Sequence, residues 1–236
     1  MNNQHDSLRK RFEQHKPKNE KSKIDDKNIY ASMMNVIKYL NYRFSGQIDE
    51  YEINFSKSIE IKYMIDLIKS KNIRSEFEYN FNDRTIVPDG GVLYLEKKDG
   101  TFKKPILISE VKRQGTNKQR LREGKERQAT GNAIERLGKN LTGIKAMMNH
   151  EKITPFICFG WGCDFAPEEK TVLSKVFMLN EFYPLNKTYV FKKDGDSNYN
   201  FFSPVSMYFR EEVWTVEEMF QIMKEIAETA LRYYIY

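Results

Sequence analysis

One segment constrains this chain more than any other. Pro105-Ile106-Leu107-Ile108-Ser109 runs directly into Glu110-Val111-Lys112. Consecutive aliphatic residues, two of them β-branched, read as a strand that enters a core and emerges at its C-terminal end. On a strand, residues two apart share a face, so Glu110 and Lys112 point one way and Val111 the other. A charged pair at the end of so apolar a strand is not a solvated decoration.

The flanking pattern supplies the layers around that strand. Met33, Met34, Ile37 and Leu40 give a helical stripe from Ile29 to Phe44. Ile61, Ile65 and Ile68 suggest a second helix over Ser56 to Ser70. Pro88-Asp89-Gly90-Gly91 has turn composition, Val92 to Glu96 reads as a strand, and Asp99-Gly100 signals a hairpin. Residues 114–128 are polar and basic without period and read as a loop. Ile134, Leu137, Leu141, Ile144 and Met148 step by three and four, which predicts a helix from Ala133 to His150. Thr154 to Trp161 looks like a buried central strand, and Thr188 to Lys192 is a further strand candidate. A last helix is expected from Thr215 to Arg232. No internal repeat is evident. This order predicts an α/β fold, a central mixed β-sheet flanked by helices.

Length and composition bound the partners. No Pro/Gly/Ser-rich linker divides the 236 residues, so one domain is expected over 29–236. Residues 1–28 carry Arg9-Lys10-Arg11 and scattered lysines and read as a basic, flexible arm. A 40% hydrophobic share is that of a globular protein. Lys and Arg outnumber Asp and Glu by 39 to 33, a balance that suits a polyanion such as nucleic acid. No apolar run is long enough to span a membrane, and the N-terminus lacks the apolar core of a secretory signal. Cys158 and Cys163 imply no disulfide framework, so a reducing, cytoplasmic setting is expected. His5, His15 and His150 show no metal-ligand spacing, which argues against a His-based zinc site.

Asp89, Glu110 and Lys112 are the candidate catalytic residues. A turn at Asp89 opens a hairpin whose second strand carries Glu110, so strand pairing can bring the carboxylates together. Two hard carboxylate oxygens, with the backbone carbonyl of Val111, can hold Mg²⁺, which keeps waters and accepts phosphate oxygen. A lysine beside them can orient an attacking water and offset charge in the transition state. Pro-Asp is also an ordinary turn opener, and Glu-x-Lys is common in Lys-rich chains.

A second segment, Thr130-Gly131-Asn132-Ala133-Ile134-Glu135-Arg136, has two readings. Asn132 as N-cap with Glu135 three residues on resembles a capping box. The same extended entry into a helix can lie in the major groove, where Asn is a bidentate partner for adenine and Arg136 a strong donor.

Taken in order, Val87-Pro88-Asp89-Gly90-Gly91, Ser109-Glu110-Val111-Lys112-Arg113-Gln114-Gly115 and Gly131-Asn132-Ala133-Ile134-Glu135-Arg136 resemble the EcoRI branch of type II restriction endonucleases. The last helix is similar as well, from Glu218 to Met223 and from Thr229 to Arg232. The resemblance implies a restriction-endonuclease-like fold and a homodimer that cuts both strands of a short palindrome with Mg²⁺. It assigns metal binding to Asp89 and Glu110 and the catalytic lysine role to Lys112. It places Gly131, Asn132, Ala133 and Arg136 in base readout, with Glu135 holding that network across subunits. In this branch the segment accompanies an AATT centre, and a cognate DNA methyltransferase in the host is expected. The chain is shorter than the family pattern between Trp161 and Val190, and Val172 to Lys187 contains no arginine, with Lys175 the nearest substitute. A relaxed outer base pair is therefore expected. Two other readings stay open: a repair or junction nuclease with the same catalytic residues, and a sequence-specific DNA-binding protein.

Overall fold

The computed structural model describes residues 16–69, 84–113, 117–126, 132–148, 151–165, 174, 189–192, 200–203 and 206–236. The first helix, α1, spans Lys16–Arg43. It begins well before the expected Ile29, because Lys and Glu support a helix without leaving an apolar stripe to read. Half of the segment expected as an arm is thus helical, and residues 1–15 lie outside the described residues.

Strand β1 (Tyr51–Ser56) follows. Its alternation is that of a half-buried edge, with Ile53 buried between exposed Glu52 and Asn54. With one buried residue in six, it carries no periodic signal in the sequence. The short strand β2 (Ile59–Glu60) then precedes α2 (Ile61–Lys69). The helix starts later than expected because the Ser56 hydroxyl donates to the Ser58 carbonyl at 2.8 Å, closing a turn where the helix was expected to begin. Strand β3 (Thr85–Ile86) pairs antiparallel with β2.

The main sheet is built on β4 (Gly91–Lys97) and β5 (Lys103–Arg113), joined by the expected Asp99-Gly100 hairpin. Asp99 Oδ1 accepts from the Thr101 backbone N–H at 2.9 Å and fixes that turn. A six-residue helix, α3 (Asn117–Arg122), occupies part of the expected loop. Then come α4 (Asn132–Met147), β6 (Phe156–Trp161), a 3₁₀ turn at Cys163–Phe165, β7 (Tyr189–Lys192), β8 (Asn200–Ser203), β9 (Ser206–Arg210) and α5 (Val216–Ile235). The seven-stranded sheet has the order β1-β4-β5-β6-β9-β8-β7. Pairings β5–β6 and β6–β9 are parallel and the others antiparallel, so the sheet is mixed as expected.

Helices cover both faces. On one, α1 and α5 pack against Leu93, Leu107, Ile157 and Phe159. On the other, α2 and α4 pack against Val92, Tyr94, Ile108 and Phe156. Ser32 of α1 ties the first pair together by donating to the Val216 carbonyl at 2.9 Å. The α5 N-terminus carries a complete capping box, Thr215 with Glu218.

A bulge sets the phase of β5. Leu93 pairs with Leu107 but Tyr94 pairs with Pro105, so Ile106 is skipped. Leu107 then falls on the α1/α5 face and Ile108 on the α2/α4 face. Period two carries the same phase to Glu110 and Lys112, which share the face of Ile108.

Candidate active site

Asp89 reaches the end of β5 because the chain before β4 turns tightly against it. The Gly91 N–H donates to the Pro88 carbonyl at 3.0 Å, and the Gly90 N–H to the Ser109 carbonyl at 3.0 Å. Both glycines are required. A Cβ on Gly90 would overlap the Ser109 hydroxyl, and one on Gly91, at φ +81°, would lie 2.6 Å from the Ser56 carbonyl oxygen.

The three expected residues converge. Lys112 Nζ lies 2.7 Å from Asp89 Oδ2 and 2.9 Å from Glu110 Oε2. The Asp89 backbone N–H donates to Glu110 Oε2 at 3.1 Å. Val111 offers its own N–H to Asp89 Oδ2 at 3.4 Å, while its side chain packs toward α1 and α5. Exposure grades across the site: the Glu110 side chain is 1% exposed, Lys112 17% and Asp89 35%.

This grading sets the electrostatics. Burial pushes the Glu110 carboxyl up to about 7, against the pull of Lys112, and the Asp89 charge raises it further. Burial likewise works against the Lys112 ammonium, but the Glu110 and Asp89 charges overcome it and hold Lys112 protonated above its usual range. Glu110 is therefore a carboxylate that needs positive charge beside it to ionise at neutral pH. Two carboxylate oxygens already aimed at one cationic nitrogen are a donor set that fits a hard divalent cation such as Mg²⁺.

Two residues that the sequence reading missed complete the corner. Asn140, on α4, donates from Nδ2 to Glu110 Oε1 at 3.1 Å. Asp26, on α1, lines an open groove with Lys27, Tyr30, Lys57 and Asp89. Its carboxyl is raised by loss of hydration and then by the Asp89 charge, although the side chain stays largely exposed. Neither lies within a recognisable sequence motif. Asn140 is an internal residue of a helix, and Asp26 falls in a charged stretch without period. Cys158, register-paired with Glu110 on β6, is fully buried, which raises its thiol well above the ordinary range. It is a free thiol.

The second segment is described in part. Asn132, Ala133, Glu135 and Arg136 form the first turn of α4, and their side chains lie outside the described residues, as do Thr130 and Gly131 entirely. So does most of 172–187, including Lys175. Among the described residues no helix is long and apolar enough to cross a membrane.

The family model "Restriction endonuclease EcoRI" matches residues 15–235. The chain belongs to the EcoRI restriction endonuclease family. Among its relatives, the type II restriction enzyme RsrI of Cereibacter sphaeroides is 28% identical over 178 residues, 63% of this chain and 64% of that one. The type II restriction enzyme EcoRI of Escherichia coli is 24% identical over 87% of this chain and 81% of its own. The match to RsrI thus spans just under two thirds of that relative's length. Family membership agrees with the α/β architecture and with the resemblance carried by the three ordered motifs.

Proposed function

We propose that this protein is a Mg²⁺-dependent type II restriction endonuclease. It acts as a homodimer and hydrolyses both strands of a short palindromic duplex with an AATT core and a relaxed outer base pair. The observation that carries the reading is the convergence of Asp89 and Glu110 on Lys112 at the mouth of a buried strand, in a member of this family.

Asp89, Glu110 and the Val111 carbonyl are the groups that would hold the metal. When bound, Mg²⁺ supplies charge neutralisation at phosphorus and acidifies a water. The chain's residues do the rest. The Asp89 N–H fixes Glu110 Oε2. Lys112, held protonated by its two carboxylates, would orient a water and offset charge on the phosphoryl oxygens. Lys27 and Lys57, in the groove beside Asp89, are suited to the sugar-phosphate backbone. Gly131, Asn132, Ala133 and Arg136, at and just before the first turn of α4, read base edges, and Glu135 holds that network across subunits. A helix entry in the major groove with an Asn aimed at adenine is the chemistry an AATT core needs. Without arginines in 172–187, the outer pair is read loosely. A partner methyltransferase protects the host.

Digestion of a plasmid of known sequence with Mg²⁺, followed by mapping of the ends, tests the whole reading. Ends at AATT-centred palindromes, abolished by a chelator, are expected; no cleavage, or ends unrelated to sequence, would leave a DNA-binding protein or a structure-directed nuclease instead. Asn132→Ala should weaken binding to the mapped site by about 1–3 kcal/mol and leave the salt-dependent binding of unrelated duplex unchanged. Equal loss on both removes Asn132 from base readout.

A further inference from the structure

The two oxygens of Glu110 are held by different parts of the molecule. Oε2 accepts from the Asp89 N–H and Lys112, both local to the β4–β5 corner. Oε1 accepts from Asn140 Nδ2 at 3.1 Å, across the layer boundary between sheet and helix. Glu110 is 1% exposed, so water is a poor substitute for that amide. Asn140 is itself firmly placed, because its neighbours Leu137, Leu141 and Ile144 are buried against the sheet. It lies on the same helix as Asn132, about 12 Å further along at 1.5 Å per residue.

We propose that Asn140 is a positioning residue for the metal-binding carboxylate. Its amide holds the Glu110 carboxyl in the orientation that presents Oε2 to the cation, and α4 joins that carboxylate rigidly to the turn that reads DNA. The proposal rests on the reading of Asp89, Glu110 and Lys112 as the metal and catalytic centre. It adds that one end of α4 meets the bases while its middle sets the metal ligand.

The physical expectation follows from outer-shell partners of metal ligands, whose loss typically costs about 10- to 100-fold in metal affinity or activity. Asn140→Ala and the near-isosteric Asn140→Leu both remove the donor and both favour a helix. Calorimetric titration of Ca²⁺ into the full-length protein bound to a duplex carrying the mapped site should show about 10-fold or greater weakening in both variants. The Mg²⁺ concentration for half-maximal cleavage should rise in step. Binding of the same duplex in chelator should stay within about twofold, and thermal melting should report an intact fold. In a Glu110→Ala background the Asn140 substitutions should have no further effect on Ca²⁺ binding, since coupled residues are not additive.

Several results would overturn the proposal. Unchanged metal affinity in both Asn140 variants would do so, as would a loss in Asn140→Ala that Asn140→Leu restores, which would mean packing. Duplex binding in chelator that falls in parallel with cleavage would make Asn140 a DNA contact. A loss of equal size in the Glu110→Ala background would mean Asn140 acts elsewhere. If Glu110→Ala alone leaves Ca²⁺ binding intact, the catalytic-centre reading itself fails, and that outcome is distinct from failure of Asn140 alone.

Discussion

Two glutamates in this molecule each face a basic partner at close range, and their chemistry diverges. Glu110 lies 2.9 Å from Lys112 and is 1% exposed. Glu218 lies 2.7 Å from Arg210 and is 41% exposed. The Glu110 carboxyl is pushed up to about 7, chiefly by burial. The Glu218 carboxyl is held down to about 2, chiefly by hydrogen bonds from Arg210 and then by Thr215 at the helix cap. Arg210 donates to both Glu218 oxygens and stacks 3.8 Å from the centroid of Trp214. That pair closes a structural joint between β9 and α5. The difference lies in what water is allowed to do. At Glu218 solvent supports the charge and the partner adds to it. At Glu110 solvent is excluded, so one lysine leaves the site short of positive charge and receptive to a cation.

The sharpest way to break this contrast is at the partner cations and carboxylates. Lys112→Ala and Asp89→Ala should each reduce the proposed Mg²⁺-dependent cleavage by about 100- to 1000-fold, measured as the single-turnover rate on a plasmid carrying the site. Cleavage at the parent rate would remove the residue from the catalytic centre. Arg210→Ala should leave the single-turnover rate near that of the parent.

Next in size is a pH effect of opposite sign at the two sites. Glu110 has a raised folded pKa, so the native state holds a proton that the unfolded chain has released. Its contribution to stability is present below about 4.5 and is lost as pH rises to about 7, a change of about 3 kcal/mol. Urea midpoints of Glu110→Gln against the parent across that window should show the slope removed in the variant. Equal slopes would show that burial does not govern this carboxylate.

The smallest effect is expected at Glu218. Its depressed pKa contributes stability above the unfolded value of about 4.5, lost as pH falls toward about 2. Because the group is well exposed, Glu218→Gln should cost only about 1 kcal/mol at pH 7, with the gap closing in acid. A gap that widened in acid would reverse the assignment.

Legibility in the sequence followed burial and periodicity. The core strands β5 and β6 and the helices α4 and α5 announced themselves through apolar spacing. The edge strand β1 did not, because only Ile53 of its central residues is fully sunk and its alternation is short. The first half of α1 did not, because a helix made of lysines and acids leaves no stripe. In the site, Asp89, Glu110 and Lys112 were legible because a buried strand ending in charge is anomalous and because a turn motif precedes it. Asn140 and Asp26 were not, because nothing local marks a helical Asn or one acid among many.

The sequence by itself determined the architecture's class, the phase that puts Glu110 and Lys112 on one face, and the family. Those follow from period, turn chemistry and motif order, which are local properties of the chain. Only the tertiary structure decided that Asp89 touches both partners, that Glu110 is dry enough to be raised to about 7, and that α4 lends an amide to its far oxygen. Each of these depends on which surfaces exclude water and which elements cross. Desolvation and long-range contact exist only once the layers have closed on one another.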